Sequence, residues 1–327
     1  MSKFIVDGAN SRRSQIIQTE KSVEMINAMR GFFKSTVTPF DGQFGQRAIV
    51  TIAKPKGYGT GNYVFDNADY DFEFDIPFAY NLEAKKAEII IYNVPNHDVS
   101  IFNNTSISVS AGYGNSVSRI FSGTITSVKT KRDDLDRVTT IKAETGTIYT
   151  DVHINQTYIN KCKASYILKD LIKVTKKPTY YYEIARDYTY ADDETIDGAL
   201  FSNIDRVAAI CGAIVTYGSG IIVCPYTYFR KFGSSGTVSY ANGLLDINEW
   251  SDKETNGKYV DYTRGYNVSM LLNPNVHALS VFKVNRGETQ RAIDYNDKHD
   301  NAVKLIALSG THEYDGDKMI TKVKGVI

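Results

Sequence analysis

The stretch from Ala87 to Gly146 constrains this chain more than any other. It reads AEIIIYNVPNHDVSIFNNTSISVSAGYGNSVSRIFSGTITSVKTKRDDLDRVTTIKAETG, a train of short β-strands with a turn between each pair. Ser106 to Tyr113 alternates strictly, with Ile107, Val109, Ala111 and Tyr113 on one face, the period-two signature of a half-buried strand. Ile120 to Thr130 and Arg137 to Glu144 flank the polar hairpin KRDDLD. Successive antiparallel strands joined by Gly, Asn and Asp turns favour a small barrel or sandwich. No catalytic constellation lies within this segment, so the chain reads first as a part built to join others.

Upstream, Asp69 to Ile76 reads DYDFEFDI and alternates without a fault. Tyr70, Phe72, Phe74 and Ile76 fall on one face, and Asp69, Asp71, Glu73 and Asp75 on the other. The pattern predicts a strand with a buried aromatic face and an acidic exposed one. An extended strand spaces same-face side chains by roughly 6.5–7 Å, too far apart for the convergent oxygens of a calcium loop. The acidic row therefore reads as a solvated strand face or, more sharply, as the lining of a channel.

A different texture begins near Thr150. Ala164, Ile167, Leu168, Leu171 and Ile172 follow helical spacing, so a helix is expected over Ser165 to Val174, with lysines at its end and Pro178 to stop it. Leu200, Ile204, Val207, Ala208 and Cys211 mark a second helix closing at Gly212. Ala213 to Tyr217 and Ile221 to Cys224, joined by Gly218-Ser219-Gly220, read as a β-hairpin. After Gly233 to Gly236 strands return at Tyr266 to Leu272, Leu279 to Val284, Val303 to Ser309 and Lys318 to Val326, around a polar loop from Gly287 to Asn301. The first forty residues read as an arm with a weak amphipathic helix over Glu20 to Phe33.

The expected fold is thus α+β and mainly β, with two small antiparallel, tube-like β-barrel domains and an α+β domain between them. The boundaries expected are an arm over 1–40, a first barrel over 41–150, a middle domain over 151–235 and a second barrel over 236–327.

Charge balance argues against a dedicated binder of nucleic acid or anionic membrane, since 38 Lys+Arg face 37 Asp+Glu. Tyrosine dominates the aromatics, 23 against 15 Phe and one Trp, which suits half-buried strands and interfaces alike. The odd cysteine count, Cys162, Cys211 and Cys224, lacks metal spacing and reads as buried free thiols in a reducing cytoplasm. No secretory signal is expected at the N-terminus, and no run approaches the ~18 apolar residues of a membrane span.

Candidate motifs are weak. Gly57, Gly59 and Gly61 resemble a phosphate loop only superficially, because strands are expected on both sides, and they read better as a flexible hairpin. His97, His153, His277, His299 and His312 form no metal or nucleophile–base pair by spacing, and a turn accounts for His312. Asp133, Asp134 and Asp136 sit at a hairpin tip rather than in the cleft that glycoside cleavage needs. No catalytic residue, cofactor or metal is expected.

Taken in order, several segments resemble one family. Ile107 to Gly114 (ISVSAGYG), Ile120 to Ile125 (IFSGTI) and Thr139 to Ala143 (TTIKA) are similar to the first barrel of phage tail baseplate hub proteins. KASYILKDLI and AAICGAIVTYGSGIIVCP resemble their middle domain, and LLNPNV with HEYDGDKMITKVKGV their second barrel. The resemblance runs from about Glu88 to the C-terminus and points to the late-control and PBSX-type hubs of contractile tails and phage-tail-like bacteriocins. It implies a non-enzymatic homotrimeric ring at the tail baseplate, assembled in the bacterial cytoplasm. Such a ring adapts a sixfold tail tube to a threefold spike. The implied partners are the tail tube, the central spike and the baseplate wedges. DNA or tape measure would pass through the lumen without specific binding, and Asp69, Asp71, Glu73 and Asp75 would line it. A tail-associated cell-wall hydrolase and a module binding host-surface glycan through exposed tyrosines are the competing expectations.

Overall fold

A computed structural model describes residues 45–81, 84–94, 99–114, 116–145, 152–159, 161–217, 221–229, 236–256, 259–285 and 302–327. The expected arm with its helix, His97, His299 and the loop Gly287 to Asn301 lie outside the described residues. The chain divides into two compact units: residues 152–229 form most of one, and the two strand-rich stretches on either side together form the other.

The first strand-rich half contains β1 (Gln46–Ala53), β2 (Asn62–Asp66), β3 (Phe72–Ala79), β4 (Lys86–Tyr92), β5 (Ser106–Tyr113), β6 (Ser118–Asp133) and β7 (Asp136–Glu144). Ile107, Val109, Ala111 and Tyr113 on β5 are buried, as their alternation predicts. They share a core with Val50, Ile89, Ile91, Phe72, Phe74, Ile125 and Ile141. The hairpin between β6 and β7 is tighter than the sequence suggests. The strands stay paired to Asp133–Asp136, leaving only Asp134 (φ +51°) and Leu135 at the apex. Gly57, Gly59 and Gly61 join β1 to β2, all at positive φ, so the triplet is a strand-to-strand turn.

The middle unit holds β8 (His153–Tyr158), the helix Ala164–Val174, β9 (Thr179–Tyr182), β10 (Glu194–Ala199), the helix Leu200–Ile210, β11 (Ile214–Tyr217) and β12 (Ile221–Cys224). Both helices bury the apolar stripe read from the sequence, and the stripes meet in one core with Cys211, Val215 and Val223. The first helix ends at Thr175, whose hydroxyl donates to the Ile172 carbonyl at 2.6 Å. The second is tied at its start by Asn203, whose amide donates to the carbonyls of Asp197 and Ala199. It stops at Gly212, whose φ of +64° disfavours other residues. β11 and β12 form the expected hairpin, and β9 adds to β12 in parallel, a pairing the spacing did not reveal.

The last stretch supplies β13 (Thr237–Val238), β14 (Leu244–Asn256), β15 (Tyr259–Leu271), β16 (Val281–Asn285), β17 (Ala302–Tyr314) and β18 (Met319–Val326). Its core gathers Leu244, Tyr266, Val268, Met270, Phe282, Val284, Leu305 and Val323. Each half therefore has its own core, yet one antiparallel sheet runs through both in the order β14-β15-β18-β17-β3-β4-β7-β6-β5-β1-β2. The seam is the pairing of Ser309–Tyr314 on β17 with Phe74–Ala79 on β3. Further bonds cross it, among them Tyr80 N–H to the Leu308 carbonyl at 3.0 Å, Tyr113 Oη to the Met319 carbonyl at 2.9 Å and Gln46 Nε2 to the Asp317 carbonyl at 2.9 Å.

The two halves repeat one topology. Strands β3, β4, β7, β6 and β5 neighbour one another as β14, β15, β18, β17 and β16 do. In each half the long strand changes partner midway: β6 leaves β5 after Thr124, and β17 leaves β16 after Ile306. A register shift follows at once in both, between Ile125 and Ser127 and between Ala307 and Ser309. Beyond it Ser127 faces Lys142 and Ser309 faces Lys324, so Thr139, Ile141 and Lys142 stand where Thr321, Val323 and Lys324 stand. Thr139 and Thr321 are both fully buried, and each lies against the strand opposite through a polar contact, to Thr130 at 3.3 Å and to His312 at 2.9 Å.

Candidate interaction surface

The seam places a charged row across the outward face of the sheet. Cross-strand partners run Lys142 (β7), Glu88 (β4), Asp75 (β3) and Glu313 (β17), with Lys322 (β18) on the diagonal, two residues past Ile320, the partner of Glu313. Neighbouring strands are ~4.8 Å apart, so three carboxylates lie side by side where the halves join. The outer two are held: Lys142 Nζ lies 3.2 Å from Glu88, and Lys322 Nζ 2.7 Å from Glu313, which also accepts from the Thr311 hydroxyl at 2.8 Å. Asp75 sits between them. Burial under its neighbours and the charges of Glu313 and Glu88 push its carboxyl above the usual range, against the opposing pull of Lys322. Glu73, two residues back, accepts from the Tyr92 hydroxyl at 2.7 Å, and this bond is the main reason the phenol is pushed up to about 12.

Of the four acidic residues singled out in the sequence, Glu73 and Asp75 share this face. Asp69 and Asp71 precede it, because β3 begins only at Phe72. The N–H groups of Asp69 and Tyr70 both donate to the Asp66 carbonyl, which closes a turn where the alternation predicts strand. Alternation cannot distinguish the two, since a turn that keeps Tyr70 against Phe65 preserves the same pattern of in and out. Glu88 and Glu313 escaped notice because they join the row only through pairing with strands far away in sequence.

The described histidines are His153, His277 and His312. His312, expected in a turn, lies buried inside β17, its ring 4.9 Å from that of Phe78 and its Nδ1 2.9 Å from Thr321 Oγ1. Burial, with His277 adding to it, pulls its pKa down to about 3, so the ring is neutral. Thr321 Oγ1 also accepts from the Asn273 backbone N–H at 3.0 Å. Cys211 and Cys224 are buried thiols pushed up to about 12 by desolvation, and Cys162 is partly exposed. Among the described residues no group of three or more His, Cys, Asp or Glu is placed to hold a metal ion, and no helix is long and apolar enough to cross a membrane. Asp133 and Asp136 are taken up at the hairpin tip by Lys131 and Asn93.

No family model matches the chain, and no curated protein matches it. Solved structures do. The 43 kDa tail protein of prophage MuSo2 from Shewanella oneidensis is similar with a TM-score of 0.50 at 7% identity, over 86% of this chain and 98% of that one. A component of the E. coli type VI secretion system gives a TM-score of 0.50 at 9% identity, over 85% of this chain and 76% of that one. That protein is described as similar in structure to the T4 bacteriophage tail proteins gp27 and gp5. At such identities the likeness is one of architecture, and on it this chain has the fold of phage tail proteins.

Proposed function

We propose that the chain is a structural hub at the baseplate of a contractile phage tail or phage-tail-like particle. Three copies would form a ring that adapts a sixfold tail tube to a threefold central spike. The observation that carries this reading is the internal duplication: each chain presents the same five-strand motif twice on one continuous sheet, so three chains offer six similar elements. Likeness of fold to a prophage tail protein and a type VI secretion component supports the same setting. The charged row fits the inner wall. Glu73, Asp75, Glu88 and Glu313 would face the lumen, with Asp69 and Asp71 in the adjoining turn, and repel the phosphates of passing DNA. The tail tube, spike and wedge proteins would be its neighbours, and the ring would assemble in the bacterial cytoplasm. The role is architectural, without a catalytic step. Electron cryo-microscopy of intact tail tips tests it: a threefold ring of this chain on the tube axis is expected. A single copy off the axis overturns the reading, and cleavage of purified peptidoglycan by the isolated protein overturns its non-catalytic part.

A further inference from the structure

The internal duplication leaves one of its two seams open. Within the chain, the far half of β17 is covered by β3, in six pairs from Ser309–Ala79 to Tyr314–Phe74. The repeat makes β6 the counterpart of β17 and β14 the counterpart of β3. Among the described residues, Ser127 to Asp133 on β6 pairs only with β7, and β14 pairs only with β15. Both strands that would make the second seam therefore present edges with no strand partner among the described residues, seven strand steps apart along one sheet. An unprotected edge of this length is a template for pairing with another chain.

We infer that the β6 edge, Ser127 to Arg132, pairs antiparallel with β14, Ile247 to Asp252, of a second copy of this chain. This deepens the hub reading and rests on it. The register transfers from the closed seam through the matched hairpins. Ser127, Val128, Lys129, Thr130, Lys131 and Arg132 take the places of Ser309 to Tyr314. In the same way Ile247, Asn248, Glu249, Trp250, Ser251 and Asp252 take those of Phe74 to Ala79, because Ile247 faces Val268 on β15 as Phe74 faces Ile89 on β4. Lys131 then meets Asn248 and Thr130 meets Glu249 of the neighbour. Charge supports the match. The β6 edge carries Lys129, Lys131 and Arg132 against Asp133, whereas residues 244–251 carry Asp246 and Glu249, which this register sets diagonal to Lys131 and Arg132. The contact is head-to-tail, so each copy uses both edges and a closed ring leaves neither bare.

Cross-linking the full-length protein tests this. Lys131→Cys and Asn248→Cys in one chain should, on mild oxidation, give covalent dimers and trimers on a non-reducing gel. Either substitution alone should give no such ladder, which controls for Cys162, and a mixture of the two single variants should stop at dimer. In sedimentation, Lys131→Glu with Arg132→Glu should weaken association at least tenfold at low salt, and adding Asp246→Lys with Glu249→Lys, which lie diagonal to them in this register, should restore it. All four positions are exposed, and circular dichroism checks that the variants fold. An oligomer that gives no cross-link and ignores the charge reversals overturns the seam but leaves the hub reading to the tail-tip image. A chain that stays monomeric at its highest attainable concentration overturns the seam outright.

Discussion

The hairpins β6–β7 and β17–β18 are built to one plan and differ in what lies beside them. Each long strand changes partner, shifts register and then pairs with a strand carrying a buried Thr and an outward Lys. Against β3, the covered strand offers Gly310, His312 and Tyr314, all close-packed: the Phe78 ring lies over Gly310, and Tyr314 enters the first core. The uncovered strand offers Val128, Thr130 and Arg132 at the matching positions. A neighbouring strand thus turns a tolerant polar edge into a packed one, where a single methyl has no room. The difference between the halves is one of context rather than of strand propensity.

The largest test of this contrast is at Gly310. A Cβ there would fall 2.1 Å from the Lys322 carbonyl and 2.5 Å from the Phe78 ring, so neither backbone nor ring can give way cheaply. Gly310→Val should cost about 3 kcal/mol or more in urea unfolding, whereas Val128→Gly should cost about 1 kcal/mol. Equal costs would mean that the seam is not packed as described.

Acid should act on the covered hairpin next. His312 has a folded pKa of about 3 against an ordinary 6.5, so the unfolded state binds the extra proton between those values. Stability is fully present above pH 6.5 and should fall by a few kcal/mol as pH drops toward 4, at ~1.4 kcal/mol per pH unit. Urea midpoints measured across that range should flatten in His312→Gln and stay steep in Thr130→Val. A steep profile in His312→Gln would assign the acid response to other groups.

A smaller effect separates the two buried threonines. Thr321→Val removes the acceptor of the Asn273 N–H and the partner of His312, and should cost ~1–3 kcal/mol. Thr139→Val loses only the 3.3 Å contact with Thr130 and should cost under ~1 kcal/mol. Smallest of all, Lys142→Ala and Lys324→Ala should each change stability by ~0.5 kcal/mol, measured by thermal unfolding. Lys142 pairs with Glu88 on the surface, and Lys324 stands 4.2 Å over the Trp250 ring. Added salt should erase the Lys142 effect first.

Much of the local structure was legible in the residues. The alternation of Ser106 to Tyr113 fixes which side chains are buried, because period two admits one inward face. The stripe through Ala164, Leu168 and Leu171 fixes a helix for the same kind of reason. The acidic row was legible only in part. Glu73 and Asp75 follow from alternation, but the turn at Asp66–Tyr70 hid the true start of β3, and Glu88 and Glu313 carry no local mark. β14 went unread because its mixed polar sequence has no clean alternation, and its partner β15 supplies the pairing that makes it a strand.

The sequence by itself determined the mainly β character and the two helices of the middle unit, since these depend on short-range periodicity and spacing. Only the tertiary structure decided that the two strand-rich halves share one sheet and repeat one topology. Identity between the halves is confined to a few positions such as Thr139 with Thr321 and Lys142 with Lys324, too sparse to align. Strand pairing across more than 200 residues, as between β3 and β17, is set by backbone hydrogen bonds that every sequence can offer and by cores that only the folded chain assembles.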